Sequence, residues 1–316
     1  MKNLLSVIIP AYDEEGNVER TASAVRRILG ENDIDYEIVF INDGSADKTW
    51  QKMQSLAKSD PLITAVNFSR NFGKESAIFA GLELARGDCA VLFDCDLQFP
   101  VETVVEMYRI WEKGGVDIVE GRKKSRGREN PVYKGFSLLF YKLIGKSSGL
   151  DMQDASDFKL MDRCVIDALN RMPERLTFFR AMSGWVGFNT EKVWFEVAER
   201  EIGTSKWRPS QLVHFAVNNI TSFTSAPLQI VTAFGVITFL ISLILGVNTL
   251  YNKFFGNSEA GFPTVIILQL LTSSIIMFSL GVIGYYISKI YEEIKQRPRY
   301  IIRDIVRQRE DKDKNG

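Results

Sequence analysis

Val91-Leu92-Phe93-Asp94-Cys95-Asp96-Leu97-Gln98 decides how this chain is read. Cys89 to Phe93 is an apolar run of strand length and reads as a buried strand. It stops at two carboxylates one residue apart. Side chains at i and i+2 of an extended backbone point the same way. Asp94 and Asp96 can therefore both offer oxygens to one hard cation, or one to a cation and the other to a sugar. Hard divalent cations take oxygen ligands, and Mg2+ commonly completes its shell with substrate phosphates. This strand end suggests a site for a metal-bridged diphosphate. Alone, an Asp-x-Asp after a strand is more often a solvated turn, and it is the other strand ends that change the weighting.

Outward from that stretch, residues 1–120 alternate strand and helix patterns. Leu5–Ile9, Glu37–Ile41, Ile63–Phe68 and Val116–Glu120 read as further strands. Val18, Ala22, Val25 and Leu29 stand at helical spacing. Ala46–Lys58, Lys74–Ala85 and Pro100–Glu112 also read as helices, with Gly87 as the C-cap of the second and Pro100 near N1 of the third. This alternation implies an α/β fold with a mostly parallel sheet and helices on both faces. Ligands of such sheets bind outside the carboxyl ends of the strands. Those ends are polar here: Pro10-Ala11-Tyr12-Asp13-Glu14, Asn42-Asp43-Gly44-Ser45, Ser69-Arg70-Asn71-Phe72-Gly73-Lys74 and Asp94-Cys95-Asp96. On one rim they would make a nucleotide-sized cleft, with acids for a base or ribose and a metal for phosphates. Neither a Walker loop nor Gly-x-Gly-x-x-Gly occurs, so a P-loop or dinucleotide fold is not supported.

The chain has 316 residues, with 39 Lys+Arg against 39 Asp+Glu. Zero net charge argues against a broad nucleic-acid footprint. Cys89, Cys95 and Cys164 lack metal-ligand spacing and read as free thiols in a reducing compartment. Leu4–Ile9 is too short for a secretory signal.

Beyond residue 120 the character changes. Arg122, Lys123, Lys124, Arg126 and Arg128 crowd one loop, followed by an amphipathic basic helix over Val132–Ile144. The expected region, 122–148, has the composition of a membrane-surface element. No Asp, Glu, Lys or Arg occurs from Pro209 to Asn252, or from Ala260 to Ser288. Spans over 228–252 and 262–288 are long enough to cross about 30 Å of hydrocarbon. Tyr251, Tyr285, Tyr286 and Tyr291 lie at their ends, where interfacial aromatics belong. The segment 209–227 is too mixed to span and reads as an interfacial helix carrying His214, the only histidine. The tail 289–316 is rich in Lys and Arg, so the positive-inside rule makes it cytoplasmic. Two spans return the chain to the side it left, which puts the domain over 1–208 on the cytoplasmic side of a cell membrane too. Two spans pack poorly alone, which favours a homo-oligomer.

Taken together, Ser6-Val7-Ile8-Ile9-Pro10-Ala11-Tyr12-Asp13-Glu14-Glu15, Asn42-Asp43-Gly44-Ser45-Ala46-Asp47-Lys48-Thr49, Asn71-Phe72-Gly73-Lys74-Glu75 and Asp94-Cys95-Asp96-Leu97-Gln98 resemble the family 2 glycosyltransferases of the GT-A fold. More narrowly, the chain is similar to the polyisoprenyl-phosphate glycosyltransferases. That likeness continues through Gly121-Arg122, Asp157–Arg163, Trp185–Phe188, Arg200–Lys206 and Arg297–Tyr300, and so covers nearly the whole chain. Asp13 stands where Asn is more usual, and Phe99-Pro100 where Asp-Pro is usual, which removes one acid beside the candidate metal site.

The resemblance implies an inverting, metal-dependent transfer of one sugar from a nucleotide-sugar to a polyprenyl phosphate. The donor it favours is UDP-glucose, then UDP-N-acetylglucosamine, then GDP-mannose, and the acceptor undecaprenyl phosphate. It assigns Pro10, Tyr12, Glu14, Asp43 and Asp94 to the nucleotide-sugar, with Arg200 and Lys206 on its phosphates. Asp96, Gln98 and Asp94 would hold Mg2+ or Mn2+. Arg122, with Arg126 or Arg128, would bind the acceptor phosphate. Asp157 takes the place of an aspartate often assigned as general base, but a phosphate monoester has a second pKa of about 6 and needs little such help. Asp157 as orienter of the acceptor, or of Arg122, stays open beside it. Two other readings share the nucleotide-binding half. One is a processive polysaccharide synthase, whose Gln-x-x-Arg-Trp motif is not matched by Ser205-Lys206-Trp207-Arg208. The other is a membrane-anchored regulator on an inactive transferase domain.

Overall fold

The computed structural model describes residues 3–123, 156–174, 178–196, 226–255 and 262–308. The chain divides into two compact units, Met1–Arg208 with Arg297–Gly316, and Pro209–Gln296. The first opens with the expected alternation: β1 (Leu4–Ala11), α1 (Val18–Glu31), β2 (Asp35–Asn42), α2 (Thr49–Ser59), β3 (Ile63–Phe68), α3 (Lys74–Leu84), β4 (Cys89–Leu92), α4 (Val101–Glu112) and β5 (Ile118–Lys123). It continues with β6 (Lys159–Asp162), α5 (Arg163–Arg171), α6 (Phe179–Trp185), β7 (Thr190–Phe195) and, from the tail, β8 (Ile302–Val306). The strands form one sheet in the order β7-β5-β6-β4-β1-β2-β3-β8.

The apolar runs of β1, β2 and β4 pair in parallel and are buried along nearly their whole length. This is what near-continuous hydrophobic strands in a two-faced sheet require. α1 buries Val18, Ala22, Val25 and Leu29, the residues that its spacing singled out. α2 starts at Thr49 rather than Ala46, and Asp47 Oδ1 accepts from Thr49 N at 2.9 Å in the turn that leads into it.

Gly87 does not cap α3, which ends at Leu84 with Ala85 extended. Gly87 is instead wedged against β1. A Cβ there would lie 2.5 Å from Leu4 O and 2.8 Å from Ser6 N, and its N–H donates to Ser6 Oγ at 2.9 Å.

Arg122 and Lys123 do not open a loop. They end β5, in parallel register with Trp194 and Phe195 of β7. The remainder of the expected basic region, 124–148 with Arg126 and Arg128, and residues 197–225, with Arg200, Lys206 and most of the expected interfacial segment including His214, lie outside the described residues.

β6 has the largest consequence for the site. It runs antiparallel to both β4 and β5, pairing Val91 with Leu160 and Glu120 with Lys159. Its entrance therefore lies on the rim where β1 to β5 end. Asp157, two residues before β6, thus meets the end of β4. Below the rim Phe99 stacks on Phe158 with centroids 4.6 Å apart, and Phe195 meets Phe158 edge-on at 5.4 Å. The Phe at position 99 thus makes an apolar floor that ties the β4 turn to the β6 entrance.

The tail is not a free extension. β8 pairs antiparallel with β3, Tyr300 stacks on Phe68 at 5.1 Å, and Asn67 donates to Asp304 at 3.1 Å. The strand covers an edge of β3 that would otherwise present unpaired backbone groups.

The second unit holds α7 (Ala226–Phe255) and α8 (Phe262–Ile294). Leu228–Asn248 and Leu268–Ile294 are long and apolar enough to cross a membrane. Large apolar side chains such as Phe239, Ile244, Leu270 and Met277 are exposed along them, which is costly in water.

Candidate active site

The ends of β1 and β2 are locked to each other through backbone groups. Asp43 N donates to Ala11 O at 3.0 Å. Asp13 N donates to Ser45 Oγ at 2.9 Å, and Asp13 Oδ1 accepts from Ala46 N at 2.9 Å. Asp13 takes φ 52°, a left-handed conformation that Asp and Asn tolerate better than bulkier residues. This explains why Asp serves where Asn is usual. Glu14 N donates to Thr49 Oγ1 at 2.8 Å, and its carboxylate accepts from Asn17 Nδ2 at 2.6 Å. Asp43 is buried, and its two oxygens accept from Phe72 N at 2.7 Å and Gly73 N at 2.9 Å. Burial raises its pKa, against the pull of those two N–H groups. Gly44 sits at φ 68° beneath this loop, where a Cβ would strike the Arg70–Asn71 peptide. Tyr12 is exposed and Pro10 half-buried at the same rim. Pro10, Tyr12, Glu14 and Asp43, four of the residues expected on the nucleotide-sugar, thus meet at one rim.

The ends of β4 and β5 and the entrance of β6 are built differently. Thr21 Oγ1 donates to Cys95 O at 2.7 Å, and Cys95 is buried while Asp94, Asp96 and Gln98 stay partly exposed. Asp96 Oδ1 accepts from Gln98 N at 3.1 Å, across Leu97 at φ 57°. A leucine in that region stores about 1–3 kcal/mol of strain, and it lies between the two candidate ligands. Asp94 Oδ1 lies 2.7 Å from Lys74 Nζ, which also lies 3.5 Å from Asp157 Oδ2. Arg180 grips the other oxygen of Asp157, Nε and Nη2 each at 3.1 Å from Oδ1. Burial works to raise the Asp157 pKa, but the Arg180 and Lys74 charges outweigh it and hold it down to about 2. Burial, then the Asp157 charge, push Glu75 up to about 7, although its Oε2 accepts from Phe179 N at 2.7 Å.

Arg122 is buried, with Nε 3.0 Å from Glu120 Oε2. Glu120 is shared with the buried Lys159, 3.2 Å away. Burial lowers the Lys159 pKa, with Glu120 opposing. A cavity of about 270 Å3 opens beside the β2 and β3 ends, lined by Ser45, Trp50, Arg70 and Arg303 among others. It includes none of the Asp94–Asp157 cluster.

Among the described residues no three His, Cys, Asp or Glu side chains are arranged to hold a metal. Asp96 and Gln98 offer hard oxygens at a partly exposed turn. That set suits a cation completed by substrate phosphates rather than an all-protein cage. The structure also brings in Lys74, Glu75 and Arg180, to which the sequence reading gave no role. Lys74 and Glu75 lay inside a quoted motif, whereas no local signal marked Arg180.

Residues 6–169 match the family model for glycosyl transferase family 2. The chain belongs to that family. It is a glycosyltransferase, and its mostly parallel α/β sheet is of the GT-A type. It is 37% identical over 308 residues to an uncharacterized glycosyltransferase of Synechocystis sp., covering 95% of each. It is 36% identical over 301 residues to the bactoprenol glucosyl transferase of Shigella phage SfII, covering 95% of this chain and 97% of that one. A more distant likeness is to the glucosyl-3-phosphoglycerate synthase of Mycobacterium tuberculosis solved with Mn2+ and UDP-glucose. The two are 17% identical with a TM-score of 0.47, over 69% of this chain and 77% of that one.

Proposed function

We propose that this glycosyltransferase moves a single sugar from a nucleotide-sugar, UDP-glucose, to undecaprenyl phosphate at the cytoplasmic face of a membrane. The observation that carries the reading is the β4–β6 ladder, which sets the oxygen-rich turn Asp94–Gln98 beside Asp157 on one rim. The similarity to a bactoprenol glucosyl transferase over nearly the whole chain supports the lipid acceptor. The two exposed apolar helices support a membrane setting. Because β8 joins the sheet of β1 to β5, tail and catalytic unit share one side of any membrane that the two helices cross.

The nucleotide lies on the Tyr12–Glu14 and Asp43 cradle. Asp96 and Gln98, with Asp94 beside them, would hold Mg2+ or Mn2+, which would supply Lewis-acid stabilisation of the departing nucleoside diphosphate. Arg122, with Arg126 or Arg128, would bind the acceptor phosphate, and Arg200 and Lys206 the donor phosphates. An oxygen of the lipid phosphate attacks the anomeric carbon as the bond to the nucleoside diphosphate breaks, inverting the configuration. The lipid phosphate carries a charge of roughly −1.5 to −2 near neutral pH, so the attacking oxygen needs no base. A carboxylate held at about 2 is also a poor proton acceptor at neutral pH. Asp157 therefore orients the acceptor.

The test is label transfer by the purified full chain with Mg2+ or Mn2+, comparing UDP-glucose, UDP-N-acetylglucosamine and GDP-mannose. One labelled sugar per lipid phosphate, from UDP-glucose, is expected. A polymer, or no labelled lipid from any of the three, overturns the reading.

A further inference from the structure

The donor-side and acceptor-side carboxylates are joined by one side chain. Lys74 opens α3, a helix whose Ala77, Ile78, Phe79 and Ala80 are buried against the sheet. Its backbone is therefore fixed by the core. From there its ammonium reaches Asp94 at 2.7 Å and Asp157 at 3.5 Å. Asp94 follows β4 and Asp157 precedes β6, and Asp157 is 83 positions from Lys74 in sequence. Arg180 holds the far oxygen of Asp157. Lys74 thus spans the gap between the two acids.

Stability does not account for this placement. Lys74 is 44% exposed and Asp94 31%, and a pair this open contributes little to stability. Geometry does account for it. Two carboxylates on one rim repel each other and any phosphate that approaches them, and a single ammonium between them sets their spacing and cancels one charge.

We propose that Lys74 is a positioning residue of the transfer reaction, holding Asp94 and Asp157 at the spacing that brings the donor sugar and the acceptor phosphate to a common centre. The inference rests on the transfer reading above. It extends that reading by making the two halves of the site one unit coupled through Lys74. Arg180 supports the same unit from the other side of Asp157, and Glu75 holds the start of the helix that carries Arg180 through Phe179 N.

The full chain in detergent, as wild type, Lys74→Met, Lys74→Arg and Asp157→Asn, tests this. Lys74→Met is expected to melt within a few degrees of wild type and to bind UDP with Mn2+ within about threefold. Its kcat should fall about 100-fold, the cost of a small misplacement of reacting groups. Lys74→Arg is expected to recover much of that loss. A fall in UDP affinity matching the fall in kcat would make Lys74 a donor ligand and overturn the proposal. So would wild-type turnover by Lys74→Met. A cycle of Lys74→Met and Asp157→Asn read by melting temperature needs no substrate. Non-additive shifts are expected, and additive shifts overturn the proposal. If the wild type makes no lipid product while that cycle is coupled, the transfer reading fails and the spacing role of Lys74 stands.

Discussion

The two halves of the rim hold their acids in different ways. At the β1 and β2 ends, Asp13 and Asp43 accept from backbone N–H groups. At the β4, β5 and β6 ends, Asp94, Asp157 and Glu120 sit on the side chains of Lys74, Arg180, Arg122 and Lys159. A carboxylate on backbone amides is part of the loop's own architecture, and each such bond contributes about 1.5–3 kcal/mol. Asp94, partly exposed on the flexible Lys74 side chain, is held weakly and can change partners when a cation or phosphate arrives, whereas Glu120 is buried with Arg122 and Lys159. On the proposed reading, the nucleotide half is a finished cradle, while in the transfer half Asp94 is the acid that a substrate can draw away from its partner.

The largest expected effect falls in the transfer half. Asp96→Ala should lower turnover by about two to three orders of magnitude, the several kcal/mol that a Lewis acid contributes, with little change in melting. Near-normal activity in a metal-dependent assay would remove Asp96 from the metal site.

The comparison is sharpest in thermal unfolding of the full chain. Asp43→Ala leaves Phe72 N and Gly73 N unpaired and should cost about 2–4 kcal/mol. Asp94→Ala should cost less than about 1 kcal/mol. Equal losses would break the distinction between the halves.

A smaller effect is expected from pH. Glu75 has a folded pKa raised to about 7 from 4.5, so the folded state binds its proton more tightly. That contribution is complete below about 4.5 and is lost as pH rises through about 7. Asp157 runs the other way. Its pKa is depressed to about 2 from 3.8, so its contribution is present above about 4 and lost only on acidification towards 2. Between pH 5 and 8 stability should fall with a slope that Glu75→Gln removes, read by melting temperature across that range. At the tail, Tyr300→Ala removes the stack on Phe68 and should cost about 1–2 kcal/mol in thermal unfolding.

Much of this was legible before the fold was known. The β1–β5 alternation follows from apolar runs and helical spacing, and the two apolar helices follow from charge-free length. The Asp94–Gln98 turn stood out through its neighbours. What was not legible depends on pairing across long separations. β6 is four residues with charged ends, its place set by β4 and β5. β8 is a short strand in a basic tail, and only β3 gives it a reason to be extended. Gly87 has the look of a helix cap, yet it is needed for close approach to β1. Arg122 has the look of a loop cation, yet it ends a buried strand on Glu120. Lys74 and Arg180 gain meaning only when β6 carries Asp157 to them.

The central claim is that a lipid phosphate, already ionised, is the attacking group. The direct measurement is label transfer from UDP-glucose to undecaprenyl phosphate and to undecaprenol in parallel. The account predicts a labelled lipid-phosphate sugar from the phosphate and nothing from the alcohol, which would need a base that Asp157 does not supply. Transfer to the alcohol at a comparable rate would contradict it.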